Sequence, residues 1–401
     1  MKLIIDRQTT ALTSLLSIFL LFRFVSVEIS SLILIFLTLI LAAVNLNFFQ
    51  KGFNKVFFLL AVTFVATHGL FDVRSLYDVF KDLWYFLNPI FLYLFGFLIA
   101  YYVRDRDEVL WLVVLCGLFF SLIYLFDYFN QVSSGVFNYK EIRDEIGKSS
   151  YISVIAFSFS LYLYPRAKLF QKIVIIATCI IILISIYFTF SRTMWFIFFC
   201  CLLFINFKFL QKDAKSKLYY LFILFFLLLA FIFVVKDTDF YDKVSSTFSE
   251  VSSKHHWTLV DINERWRAYE SYRAFKVYSN GDLMQTLFGY GAGYLLDLKV
   301  LIELGDKGFR YIPVLHNGFA FLLLKSGALG LLCYLLFFYT NIKFSLKIQD
   351  EFFKNTIFCM LIILLITTYV ISGLYNKSSL SQSIILLGVL TSLSVKGKIH
   401  D

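Results

Sequence analysis

Charge is scarce in this chain. Asp, Glu, Lys and Arg make up 16% of its 401 residues, against 60% hydrophobic. A soluble fold could not bury that much apolar side chain, so the composition predicts a polytopic membrane protein. Proline is limited to Pro89, Pro165 and Pro313, which leaves the apolar runs with few helix breakers. The six cysteines all fall inside apolar runs and lack Cys-x-x-Cys spacing, which argues against both disulfides and zinc. His255 and His256 are adjacent, point apart on any regular element and have no obvious further ligands nearby. Neither a metal nor a cofactor is expected.

Acidic residues are the scarcer of the two signs, and the net charge is +10. In a soluble protein that balance would suggest nucleic acid. Here it reads as topology, because Lys and Arg collect on cytoplasmic loops. Phe is abundant, with 50 copies, beside 25 Tyr.

About 20 apolar residues are needed to cross the hydrocarbon core. By that measure about twelve spans are predicted, near 9–27, 30–49, 56–71, 84–103, 109–128, 150–165, 172–190, 193–210, 218–236, 315–340, 356–374 and 379–395. The first run reads as a span rather than a cleavable leader, since it has no small-residue cleavage site. With both termini inside, eighteen Lys and Arg fall on short cytoplasmic segments, among them Lys51, Arg104, Lys215 and Lys347. The opposite short loops hold seven: Arg74, Lys81, Lys140, Arg143, Lys148, Arg192 and Lys377. That asymmetry predicts N-in and C-in. The organisation is spans 1–9 over 1–236, one large outer loop over 237–314, and spans 10–12 over 315–401. A loop that long in a compact protein is usually functional.

Four features gather on the outer side. Ser191-Arg192-Thr193 sits between spans seven and eight, with Ser191 as a candidate N-cap for a helix starting at Thr193. Arg192 there adds to the helix dipole and suits an anion such as phosphate; the alternative is an arginine snorkelling to the interface. The segment 263–278, NERWRAYESYRAFKVY, has helical spacing. On one continuous wheel Arg265 and Arg273 lie about 80° apart and Arg267 points away, so the first two would share a ligand; an interfacial helix meeting anionic lipid is the alternative. LFGYGAGY, residues 287–294, carries Gly289, Gly291 and Gly293 and reads as a turn back to the membrane, since it lacks a nucleotide-loop lysine. Last, LHNGFAFLLLKSGALG opens span ten with His316-Asn317 and continues to Gly327 and Gly330. A histidine at the outer interface is suited to take a proton from a hydroxyl, or is a structural interfacial residue; glycines three apart let helices approach. His68 and Arg23 either line a cavity or are paired locally.

Joined in this order, the features resemble the family of O-antigen ligases and O-antigen polymerases. Its outer-face pattern H-[NSQ]-x9-G-x-x-G is met by His316, Asn317, Gly327 and Gly330, and its G-x-G-x-G segment by Gly289, Gly291 and Gly293. The resemblance covers roughly residues 185–335. It implies an all-α, GT-C-like membrane fold in the bacterial inner membrane, with the active site facing the periplasm. It also implies a metal-independent, inverting transfer of a glycan from undecaprenyl pyrophosphate. His316 would activate the acceptor hydroxyl, and Arg192 and Arg265 would neutralise the leaving pyrophosphate, with Asn317, Arg267 and Arg273 as further substrate contacts. The implied acceptor is a growing glycan for a polymerase or lipid A–core for a ligase, with a chain-length regulator protein as a further partner. The aromatic, AT-rich composition favours the polymerase, as in variable surface-polysaccharide enzymes. A flippase for the same lipid-linked glycan is the reading from another class; the lack of an internal repeat and the arginine-loaded loop stand against it.

Overall fold

The computed structural model describes residues 6–71, 75–135, 141–142, 146, 150–189, 191–206, 257–304, 307–375 and 380–397. The expected ninth span at 218–236, and the loop up to His255-His256, lie outside the described residues.

The other eleven apolar stretches all fold as helices. Eight come first: α1 (Arg7–Phe24), α2 (Val27–Val44), α3 (Leu46–Ala66), α4 (Leu76–Ile99), α5 (Arg106–Ser133), α6 (Tyr151–Leu163), α7 (Leu169–Phe188) and α8 (Arg192–Cys201). Short polar residues start several of them. The side chains of Ser26, Asn45 and Ser75 each accept an amide hydrogen from the residue three further on, satisfying donors that the first helical turn leaves unpaired. After an intervening segment of three short helices, α9 (Leu259–Glu264), α10 (Trp266–Ser279) and α11 (Leu283–Phe288), and two strands, the chain returns as α12 (Gly318–Ser345), α13 (Glu351–Ile371) and α14 (Ser381–Gly397). Seven helices among the described residues are long and apolar enough to cross a membrane.

Burial ranks them. In α4, 72% of the apolar window is buried, against 28% in α2 and in α7, so α4 is the central helix. It packs on α2, α3 and α14, while α12 packs on α3, α11 and α13. Arg23 pairs with Asp127 of α5 at 3.6 Å.

The chain is helical as expected, with one non-helical element between α11 and α12. Strands β1 (Leu296–Leu304) and β2 (Lys307–Ile312) form an antiparallel ribbon. The physical reason is visible in LDLKV: Leu296 and Leu298 are buried while Lys299 between them and Val300 is exposed, the period of two that a strand requires. A register irregularity follows Asp297, where Lys299 adopts φ +61°. The Asp297 carboxylate accepts from Arg310 Nε at 3.0 Å and pairs with Lys299 Nζ at 2.7 Å. These two cations hold its carboxyl well below the usual carboxylate range.

Two expectations change. Span ten is not one uninterrupted helix, because Gly327 has φ +63° and ψ −165° inside α12. That conformation is open essentially to glycine alone. A Cβ on Gly327 would also meet the Gly289 nitrogen and the Leu287 oxygen, both at 2.4 Å. The glycine therefore serves a backbone kink that seats another segment, rather than close packing of two straight helices. A Cβ on Gly330 would meet its own helix first, at Ser326. The segment 289–294, expected to be a turn in the outer loop, is instead wedged into the bundle. Tyr290 N donates to Leu324 O at 2.7 Å, Ala292 N to Ala66 O at 2.8 Å, and Gly293 N to Asp82 Oδ2 at 2.7 Å. His68, in the turn after α3, sets Nδ1 2.8 Å from Val65 O and Nε2 3.2 Å from Gly289 O, so its ring stands between the end of α3 and the wedge, against main-chain carbonyls. Lys325, 2% exposed, donates to both Asp82 Oδ2 and Tyr294 O. A buried charge needs such partners, and they lock the wedge to α4 and α12.

Candidate active site

The start of α8, the first turns of α10, the start of α12 and the end of α13 line a cavity of about 260 Å3. Its polar lining comprises Arg192, Thr193, Arg267, Ser271 and Asn317, and its apolar lining includes Phe196, Ile366 and Val370, with Tyr369. Two guanidiniums line it, and no carboxylate is among the lining residues. Phe196, Ile366 and Tyr369 are exposed, so the cavity presents open apolar surface. The guanidiniums suit an anion and the apolar lining a hydrocarbon.

Each element reaches this place for a local reason. Arg192 is the first residue of α8, which begins one residue earlier than the sequence suggests; Ser191 stands at the N-cap but its side chain makes no capping bond. Asn317 caps α12, its Oδ1 accepting from Phe319 N at 3.0 Å and Ala320 N at 3.3 Å, while its Nδ2 donates to Ser271 Oγ at 3.3 Å. The side chain of Asn317 thus joins α10 to α12. Residues 315–316 are stitched to the end of α13: Ser372 N donates to His316 O at 2.9 Å, and Ser372 Oγ to Leu315 O at 2.7 Å. Ser372 adopts φ +66°, which a non-glycine residue rarely does; these bonds hold it there.

The arginines of the loop are sorted differently from the helical wheel. The wheel assumes one helix through 263–278, whereas the chain breaks at Arg265 (φ −126°, ψ 43°), where α9 ends and α10 begins. Arg265 is the hinge. Arg273, buried, donates from Nε and Nη2 to Asp297 O at 3.3 and 3.0 Å, and Tyr269 OH bonds Leu298 O, so that face of α10 holds β1. The face bearing Arg267, Ala268 and Ser271 turns to the cavity instead. The structure brings Arg192 and Arg267 together and keeps Arg273 with the ribbon.

His316 lies next to cavity-lining Asn317, with its side chain 46% exposed. Its Nδ1 lies 2.8 Å from Glu270 Oε2, and its main-chain N donates to the same oxygen at 3.3 Å. Glu270 is 2% exposed. Sequence reasoning missed this residue. Its trace is slight: Glu270 is the one acidic residue within α10, three positions after Arg267 and on a helix otherwise rich in aromatics and cations. Among the described residues no three His, Cys, Asp or Glu side chains gather as a metal site. The arrangement can hold an anion at two arginines, and the neighbour of cavity-lining Asn317 in the chain is a histidine whose side chain is partly exposed.

Residues 177–335, from within α7 to within α12, match the model of the family described as O-antigen ligase. Among curated proteins, none matches the chain. The matched region contains Arg192, Arg267, Glu270, His316, Asn317 and the glycine wedge.

Proposed function

We propose that the chain is an inverting glycosyltransferase using a polyprenyl-pyrophosphate-linked glycan, a reading supported by the match of residues 177–335 to the O-antigen ligase family model. The observation that carries this reading is the shared cavity, which Arg192 and Arg267 line together with apolar residues of α8 and α13. A lipid pyrophosphate has that division of chemistry. At about 260 Å3 the cavity falls just below the usual range of ligand pockets, ~300–1,000 Å3. It fits the reacting head of the donor, and leaves glycan and prenyl chain to lie along the open sides.

In this reading the acceptor hydroxyl oxygen attacks the anomeric carbon from the face opposite the pyrophosphate. The bond from the anomeric carbon to the phosphate oxygen breaks, and its electron pair leaves with the polyprenyl pyrophosphate. His316 takes the hydroxyl proton. The arginines stabilise charge growing on the leaving oxygen. Arg192→Lys and Arg267→Lys are each expected to lower glycan output at least tenfold at equal membrane expression, because an ammonium lacks the paired donors of a guanidinium. Wild-type output from both variants would count against the clamp.

The favoured acceptor is a second lipid-linked repeat unit, so that the enzyme is a polymerase at the periplasmic face of the inner membrane. Transfer to lipid A–core is the second reading, favoured by the description of the matching family. A deletion strain separates them. Lipid A–core bearing a single repeat unit is the expected result for a polymerase. Bare lipid A–core beside accumulated long lipid-linked chains would overturn it in favour of the ligase.

A further inference from the structure

A carboxylate withdrawn from water is costly unless its site supplies compensating partners, and Glu270 is 2% exposed on α10. Its Oε2 meets both the main-chain N and Nδ1 of His316. We propose that Glu270 is the positioning residue of the reaction, fixing which nitrogen of His316 receives the proton; this rests on the reading of His316 as the acceptor-activating base.

The geometry carries the argument. An oxygen that already accepts the His316 amide hydrogen stands as an acceptor, so Nδ1 donates to it. A neutral imidazole that donates from Nδ1 has its basic lone pair on Nε2. The ring is held by its buried edge while nearly half of the side chain stays exposed, which leaves the other edge for the acceptor sugar. In the transfer step the acceptor O–H bond breaks and its proton goes to Nε2. Glu270 keeps its hydrogen bond to Nδ1–H throughout, takes no proton, and faces the imidazolium that forms with a negative charge. Two bonds to Glu270 set both the ring and the backbone of residue 316, and Ser271 holds Asn317 beside it. Arg267 lies one helical turn before Glu270, so α10 sets the base and a cavity arginine as one rigid piece.

The test uses the full-length protein in detergent, labelled with 15N-histidine. The chain has five histidines, and the His316 resonances are assigned by their loss in His316→Gln. The Nδ1-protonated tautomer is expected in the wild type, and a shift towards the Nε2-protonated tautomer in Glu270→Gln. A wild-type His316 carrying its proton on Nε2 would overturn the proposal without any variant. In a deletion strain, Glu270→Gln should reduce glycan output ~10²-fold or more per unit of membrane protein, and Glu270→Asp should recover part of it. Inactive His316→Ala beside fully active Glu270→Gln would sink the positioning role alone. Fully active His316→Ala would instead remove the base on which it rests.

Discussion

His316→Ala is expected to reduce surface-glycan assembly by ~10²–10⁴-fold, the range that a lost general base removes, while the amount of protein in the membrane stays at the wild-type level. The separation of the two effects follows from where the side chain sits. At 46% exposure the imidazole fills no core volume, so its removal opens no cavity of the kind that destabilises a packed interior. The backbone contacts at this position also survive. Ser372 still bonds the carbonyl of residue 316, and Glu270 still accepts its amide hydrogen. Complementation of a deletion strain, read as a polysaccharide ladder beside an immunoblot of the membrane fraction, measures both quantities. Full ladder formation by the alanine variant would refute the role of His316 as base.

Lys325→Met should act in the opposite way, on folding before chemistry. The lysine ammonium is almost wholly buried and bonds both the Asp82 carboxylate and the Tyr294 carbonyl. Asp82 is buried as well, and its second oxygen, Oδ1, has no hydrogen-bond partner. Replacing the lysine leaves a carboxylate in the bundle with only the Gly293 amide to hold it. Breaking a buried pair from one side costs ~3–5 kcal/mol, which is a large share of the stability of an ordinary fold. Most of the folded protein is expected to be lost, seen as collapse of the monodisperse peak after mild heating in detergent. The double variant Asp82→Leu/Lys325→Met should recover part of the loss, because no unpaired charge remains, though Gly293 and Tyr294 still lack partners. A single variant as heat-resistant as the wild type would show that the pair does not hold the 289–294 wedge in place.

Hydropathy alone located eleven helices that the structure contains, because a membrane-crossing helix must be apolar along its own length. The spacing from His316 to Gly330 was equally plain, since a linear pattern survives in the linear chain. What tertiary structure decided was pairing. A wheel drawn through 263–278 put Arg265 with Arg273, yet the chain breaks at Arg265, and the cavity receives Arg267. Nothing in the linear pattern singles out Glu270 or Lys325. Their partners, His316 and Asp82, are 46 and 243 positions away. Periodicity reports the environment that a segment makes for itself. Which charge stands opposite another, and whether a glycine is a packing surface or a kink, depends on contacts between distant segments, which only folding of the whole chain brings about.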